Sequence, residues 1–180
     1  ALANGIQVGV YFYSGASNAR EAYDEASYCI SLIRDYQITY PVAFDWELDG
    51  DYDSVTEACE TFCNVISSYG YQPMVYSNRN RWYNNFDGEK IASKYKVWMA
   101  AYFGKFYYDS VRWTYGDDLP NFRYHYDMWQ YSSRCYVDGI SGQVDVDIAF
   151  FGYANYHVDT KDAVLTVTNK EIKRTYGDGI

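Results

Sequence analysis

No stretch of this 180-residue chain approaches the roughly twenty apolar residues that a membrane-spanning helix needs, and no charged-then-apolar leader opens it. Runs of lysine or arginine are missing as well, and the formal charge is −9. Nucleic acid and anionic membrane both demand a basic footprint, so neither is expected as a partner, and no membrane insertion is expected. The four cysteines, Cys29, Cys59, Cys63 and Cys135, include no CxxC pair, and the two histidines are too few to complete a zinc site with them. The cysteines read as structural. Cys59 and Cys63 share a helix face, but their spacing is not a redox motif. No metal and no cofactor are expected.

What is present in quantity is apolar and aromatic. A hydrophobic content of 48% supports one well-buried domain plus a short appendage. Aromatic residues make up 21%, and 23 of them are tyrosines. Rings that join an apolar face to a polar hydroxyl suit stacking on sugars, and they serve equally well in an ordinary aromatic core.

Along the chain, Ala1-Leu2-Ala3-Asn4-Gly5-Ile6 reads as the end of a helix closed by a glycine, which implies sequence upstream of Ala1. Gln7 to Tyr13 reads as a buried strand. A helix follows, with Ala19, Ala22, Tyr23, Ala26, Ile30 and Ile33 on its apolar face and Asn18 with Glu21 at its start. Pro41 introduces Val42-Ala43-Phe44-Asp45-Trp46-Glu47, an apolar strand that turns acidic at its C-terminal end. Ser54-Val55-Thr56-Glu57 fits a capping box, and Ala58, Phe62, Ile66 and Tyr69 form the stripe of a second helix. Further strands are expected at Pro73 to Ser77, Val97 to Tyr102, Tyr126 to Tyr131 and Val144 to Ile148, with a short helix near Glu89 to Lys94 and a long loop to about Arg123. Strands alternate with helices early and helices thin out later. This predicts an α/β fold, an incomplete TIM-like (β/α) barrel with about six of eight strands, irregular in its C-terminal half. The barrel unit is expected over 1–153. The remainder, 154–180, reads as a linker and the start of a further β-rich module, because Ala163 to Thr168 alternates like a half-exposed strand.

The chemistry centres on Asp45 and Glu47. Two residues apart on a strand, they project from one face while Phe44 and Trp46 project from the other, so Trp46 reads as core. In a parallel barrel these acids sit at the C-terminal mouth. Two acids in one partly dry pocket raise at least one pKa, which yields a proton donor beside an ionised neighbour. The plain alternative is a solvated strand end or a metal-binding loop, since Asp49, Asp51 and Asp53 follow closely.

The order of several segments resembles glycoside hydrolase family 25, the Chalaropsis-type lysozymes. Gly9-Val10-Tyr11-Phe12-Tyr13-Ser14 is similar to the family's third strand, Pro41 to Glu47 to its fourth and Pro73-Met74-Val75-Tyr76-Ser77 to its fifth. Val97-Trp98-Met99-Ala100-Ala101-Tyr102 resembles the sixth, Met128-Trp129-Gln130-Tyr131-Ser132 the seventh, and Gly139 to Asp147 the eighth. The family's first strand, with its D-x-S motif, and its second strand have no counterpart here, so the 180-residue chain by itself is expected to be weak or inactive.

The resemblance implies an N-acetylmuramidase acting on peptidoglycan glycan strands, extracellular or cell-wall associated, secreted, bacterial and monomeric. It makes Glu47 the general acid and later the base, Asp45 its partner on the substrate's N-acetyl group, and Asp145 a further active-site acid. It sets Tyr13, Tyr76, Trp98, Tyr102, Trp129 and Gln130 at or beside the sugar groove, although each tryptophan also fits core packing. Asp147 falls where the family more often has asparagine and receives no role. The competing expectation is a non-catalytic glycan-binding module that keeps the groove.

Overall fold

Strand and helix boundaries follow the alternation of the sequence closely. The computed structural model describes residues 1–50, 53–114 and 116–150, together with the backbone of 164–167 and 170–173. A single 3-10 turn, Leu2–Asn4, ends on Gly5 at φ 69°, the left-handed conformation that favours glycine. Then come β1 (Val10–Ser14), α1 (Ala19–Ile33), β2 (Val42–Trp46), α2 (Val55–Ser68) and β3 (Pro73–Asn78). They are followed by α3 (Arg79–Asn84), α4 (Gly88–Ala92), β4 (Lys96–Ala100), α5 (Gly104–Tyr108), β5 (Met128–Cys135) and β6 (Val144–Ala149). β7 (Val164–Val167) and β8 (Lys170–Lys173) form a separate antiparallel pair. The rest of the expected C-terminal module lies outside the described residues.

β1 to β6 form one six-stranded sheet in sequential order, parallel from β1 to β5 and antiparallel between β5 and β6. This is an incomplete TIM-like barrel, and the antiparallel last strand with its register shifts is the irregular part. Among the described residues β1 and β6 are the sheet's two edges. At the β1–β2 junction Gly9 is required by space, because a Cβ there would stand 2.8 Å from the Pro41 carbonyl oxygen.

One face of each strand of the six-stranded sheet packs under the helices. Phe12, Val42, Phe44, Trp46, Val75, Val97, Met99, Trp129, Tyr131, Val146 and Ile148 join Ala22, Ala26, Cys29, Ile30 and Ile33 of α1 and Val55, Ala58, Cys59, Phe62, Cys63 and Ile66 of α2 in one core. Trp46 is fully buried and donates its indole N–H to the Ala16 carbonyl at 3.1 Å. The four cysteines are buried free thiols. No helix among the described residues is long and apolar enough to cross a membrane.

Three local expectations need correction. Tyr23 and Tyr69 are exposed and off the helix stripes, and the cysteines take their share of the core. Ser54 makes no side-chain cap bond. Thr56 of the same motif instead accepts the Asp87 N–H at 2.8 Å, tying α2 to the start of α4. The stretch before Asn85 and the loop after β4 each hold a short helix, α3 and α5, too brief to leave a periodic signal.

Candidate active site

The strand faces turned away from the helices carry a different chemistry. Register sets Tyr13 opposite Asp45, Asp45 opposite Tyr76, and Tyr76 opposite Trp98. A period of two keeps this row on one face, and β5 and β6 add Gln130, paired with Asp147. Tyr11, Tyr13, Asp45, Glu47, Tyr76, Trp98, Gln130, Asp145 and Asp147 line one cavity of about 360 Å³. Glu47 and Tyr76 also line an adjoining cavity of about 530 Å³, with Tyr102, Asn78 and Asn80 among its other walls. Glu47 thus stands on the boundary between two hollows.

Asp45 is 6% exposed, and its Oδ1 is buried without a hydrogen-bond partner among the described residues. An unsatisfied buried oxygen costs roughly 1–3 kcal/mol, so a fold that keeps one spends stability at that point. Burial, and after it the charge of Glu47, pushes the Asp45 carboxyl up to about 7, against the opposing pull of Arg81. Glu47 lies one residue beyond the end of β2 and is half-exposed, with a carboxylate oxygen 3.8 Å from the Arg81 guanidinium.

Asp147 is exposed along the β6 edge, and its carboxyl accepts the Trp98 indole N–H at 2.7 Å. Burial of the carboxyl carries it up to about 7, with Trp98 opposing and Asp145 adding to the shift. Tyr76 donates to Gln130 Oε1 at 2.8 Å, and Tyr102 donates to the same oxygen. Burial raises both phenols, Tyr102 to about 12, so they remain hydrogen-bond donors throughout the neutral range.

Of the residues expected from the sequence, Tyr13, Asp45, Glu47, Tyr76, Trp98, Gln130 and Asp145 are brought together, and Tyr102 lines the adjoining hollow. Trp129 is corrected. It is fully buried on the helix side, stacked on Phe103 at 5.5 Å and donating to the Ala101 carbonyl, because its neighbour Gln130 takes the inward direction. Three participants, Tyr11, Asp147 and Arg81, receive no role from the sequence. Tyr11 and Asp147 are two residues from Tyr13 and Asp145, so the same period of two could have found them. Arg81 sits on α3 and carries no sequence signal.

Four carboxylates, Asp45, Glu47, Asp145 and Asp147, share the smaller cavity, with Arg81 as the nearby cation. Such a field favours positive charge developing on a bound group, and raised acids supply protons at neutral pH. Aromatic rings beside them, with Tyr76 edge-on to Trp98 at 4.7 Å, offer apolar faces.

The family model for glycosyl hydrolases family 25 matches residues 1–140. The chain belongs to glycosyl hydrolases family 25. The match ends before β6, so Asp145 and Asp147 lie beyond it. The chain is 29% identical over 137 residues to the lysozyme of Streptococcus phage Cp-1, covering 71% of this chain and 37% of that protein. It is 28% identical over 182 residues to the lysozyme of Streptococcus phage Cp-7, covering 96% of this chain and 48% of the relative. The crystal structure of the CTP1L endolysin superposes with a TM-score of 0.64 at 26% identity, covering 82% of this chain and 48% of that one. The chain therefore spans less than half the length of each of these relatives.

Proposed function

We propose that this chain supplies the catalytic carboxylates of a peptidoglycan hydrolase, a lysozyme that cleaves the β-1,4 bond between N-acetylmuramic acid and N-acetylglucosamine. The observation that carries the reading is the placement of Asp45 and Glu47. Two acids from one strand end enter a single aromatic-lined cavity in a family 25 chain, one of them buried with an unpartnered oxygen.

Sugars on either side of the Glu47 ridge would lay the glycosidic oxygen over its carboxyl. Glu47 gives a proton to that oxygen as the bond from C1 breaks, and the departing sugar leaves as an alcohol. Glu47 then takes a proton from the water that adds to C1. Asp45 faces the muramic acid residue and orients or stabilises its N-acetyl group. Burial keeps a proton on Asp45 up to about 7, so at neutral pH Asp45 can meet the N-acetyl group as a hydrogen-bond donor. Asp145 stabilises positive charge at C1, and Tyr13, Tyr76, Trp98 and Tyr102 pack against the sugars while Gln130 orders the groove. This activity belongs at a bacterial cell wall, outside the cytoplasm of the cell that makes the protein, and needs one copy of the chain. Residues 1–153 are the catalytic unit in this reading, and 154–180 begin another module.

The test is chemical. Because the chain by itself is expected to be weak, purified walls are digested exhaustively with an excess of the chain or of Glu47→Gln, reduced with borohydride and hydrolysed. The expected product of the unaltered chain is reduced muramic acid, absent after the substitution. Reduced glucosamine instead, or equal release by Glu47→Gln, overturns the assignment.

A further inference from the structure

Arg81 does more than lend a charge to the site. It follows β3 on α3, and Asn78, at the strand's end, caps that helix by accepting the Arg81 backbone N–H at 3.0 Å. From this fixed start the side chain, 16% exposed, reaches the segment after β2. Its Nη2 donates to the Glu47 carbonyl at 2.7 Å and to Asp49 Oδ1 at 2.8 Å, and its Nε donates to the Leu48 carbonyl at 3.1 Å. Its Nη1 stands 3.8 Å from the Glu47 carboxylate.

Glu47 lies beyond the last ladder pair of β2 with β3, which joins Asp45 to Tyr76. The ladder of β2 with β1 also stops short of it, at Trp46 paired with Ser14, so no ladder pair holds Glu47. The planar guanidinium fork does, taking two successive carbonyls at once, which a lysine ammonium on a flexible stem does not reproduce.

We infer that Arg81 is a positioning residue for the reaction, a fork from the end of β3 that clamps the Glu47–Leu48 backbone and aims the Glu47 carboxyl at the boundary between the two cavities. The link to turnover rests on the muramidase reading; the clamp itself does not. Asp49, whose side chain is fully exposed, is a lesser part of the clamp, because a solvated ion pair contributes little.

The experiment compares the full chain with Arg81→Met, Arg81→Lys and Asp49→Asn, by carboxyl-carbon NMR and by wall digestion. In Arg81→Met the Glu47 carboxyl signal is expected to move toward that of a solvated glutamate and the Asp45 titration to shift upward, while Phe44 and Val75 signals stay in place. In digestion, kcat is expected to fall by roughly tenfold or more with KM changed by less than about twofold, the pattern of a lost transition-state alignment. Arg81→Lys is expected to recover the Asp45 titration but less than half of the lost kcat, and Asp49→Asn to stay within about twofold of the unaltered chain. If Arg81→Met does not fold, Arg81→Lys carries the test through its split between restored charge and unrestored rate. Unchanged Glu47 and Asp45 signals in Arg81→Met, or full recovery of kcat by lysine, overturn the clamp. Should Glu47→Gln digest walls as well as the unaltered chain while the NMR shifts occur as expected, the muramidase reading fails and the clamp stands.

Discussion

Trp98 on β4 donates its indole N–H to Asp147 on β6 at 2.7 Å, reaching past β5, whose Gln130 is the residue paired with Asp147. Through this bond the antiparallel edge strand is tied to the inward face of the parallel sheet, and an acid is held close to an aromatic wall.

That arrangement makes stability depend on pH. The carboxyls of Asp45 and Asp147 are raised from 3.8 to about 7, so the native state binds their protons more tightly than the unfolded chain does. The contribution of these two carboxyls is greatest below about 4, falls as pH rises and is lost above about 7, while Asp117, Glu60 and Glu21, whose carboxyls are lowered by their hydrogen bonds, act in the opposite sense in acid. Urea unfolding is expected to give a lower midpoint at pH 8 than at pH 5. Asp45→Asn is expected to raise the pH 8 stability by on the order of 1–3 kcal/mol, with little effect below pH 4. A midpoint that rises between pH 5 and pH 8 contradicts the burial of these acids.

In the proposed reaction the Asp45 proton also bears on the rate. As pH passes about 7 the Asp45 carboxyl loses the proton that burial holds on it, so kcat/KM for wall digestion is expected to fall on the alkaline side with an apparent pKa near 7. In Asp45→Asn that limb should vanish or move, and kcat should drop by roughly a hundredfold or more, in the range typical for a lost acid–base partner. A profile flat from pH 6 to pH 9 in the unaltered chain would remove that proton from the mechanism.

Trp98 and Trp129 separate groove from core. Trp129→Ala is expected to cost about 3–5 kcal/mol of stability, the usual penalty for emptying a fully buried tryptophan site. Trp98→Ala should unfold with a smaller loss but raise the KM for glycan strands several-fold. Denaturant titrations and wall-digestion kinetics on both variants distinguish these outcomes, and the reverse pattern would exchange their roles.

How far the site is legible in the sequence follows from such pairs. Asp45 and Glu47 could be placed on one face because a strand alternates sides at every residue, and Phe44 and Trp46 went to the core by the same rule. Applied to β5, that rule already forbids Trp129 and Gln130 from sharing the groove, and it links Asp147 to Asp145 and Tyr11 to Tyr13. Arg81 could not be read in this way, since its contacts cross more than thirty positions of chain. Short helices such as α3 and α5 leave no periodic signal, and the antiparallel turn of β6 depends on packing rather than on local pattern.

Caps offer a local check on the same physics. Asn18 accepts the Glu21 N–H at 3.1 Å and Thr56 accepts the Asp87 N–H, whereas Ser54 makes no cap bond despite its favourable motif. Asn18→Ala and Thr56→Ala are each expected to destabilise the chain by about 1 kcal/mol, and Ser54→Ala by less than about 0.5. Equal losses at Ser54 and Thr56 in thermal unfolding would restore the capping box that the sequence suggests.

Gln130 serves the groove through the rings it holds. Its Oε1 already accepts from both Tyr76 and Tyr102, and the residue is 5% exposed. Gln130→Met keeps the bulk and deletes the acceptor, leaving Tyr76, itself buried, without this partner. The expected cost is roughly 2–3 kcal/mol together with a higher KM, because both rings lose the anchor that fixes their hydroxyls. Gln130→Glu retains the acceptor oxygen but adds a fifth carboxylate beside Asp45, Glu47, Asp145 and Asp147, so it should recover the stability better at pH 5 than at pH 8. If Gln130→Met leaves the unfolding midpoint unchanged and only weakens glycan binding, the amide contacts substrate directly and the two phenols are held by something else.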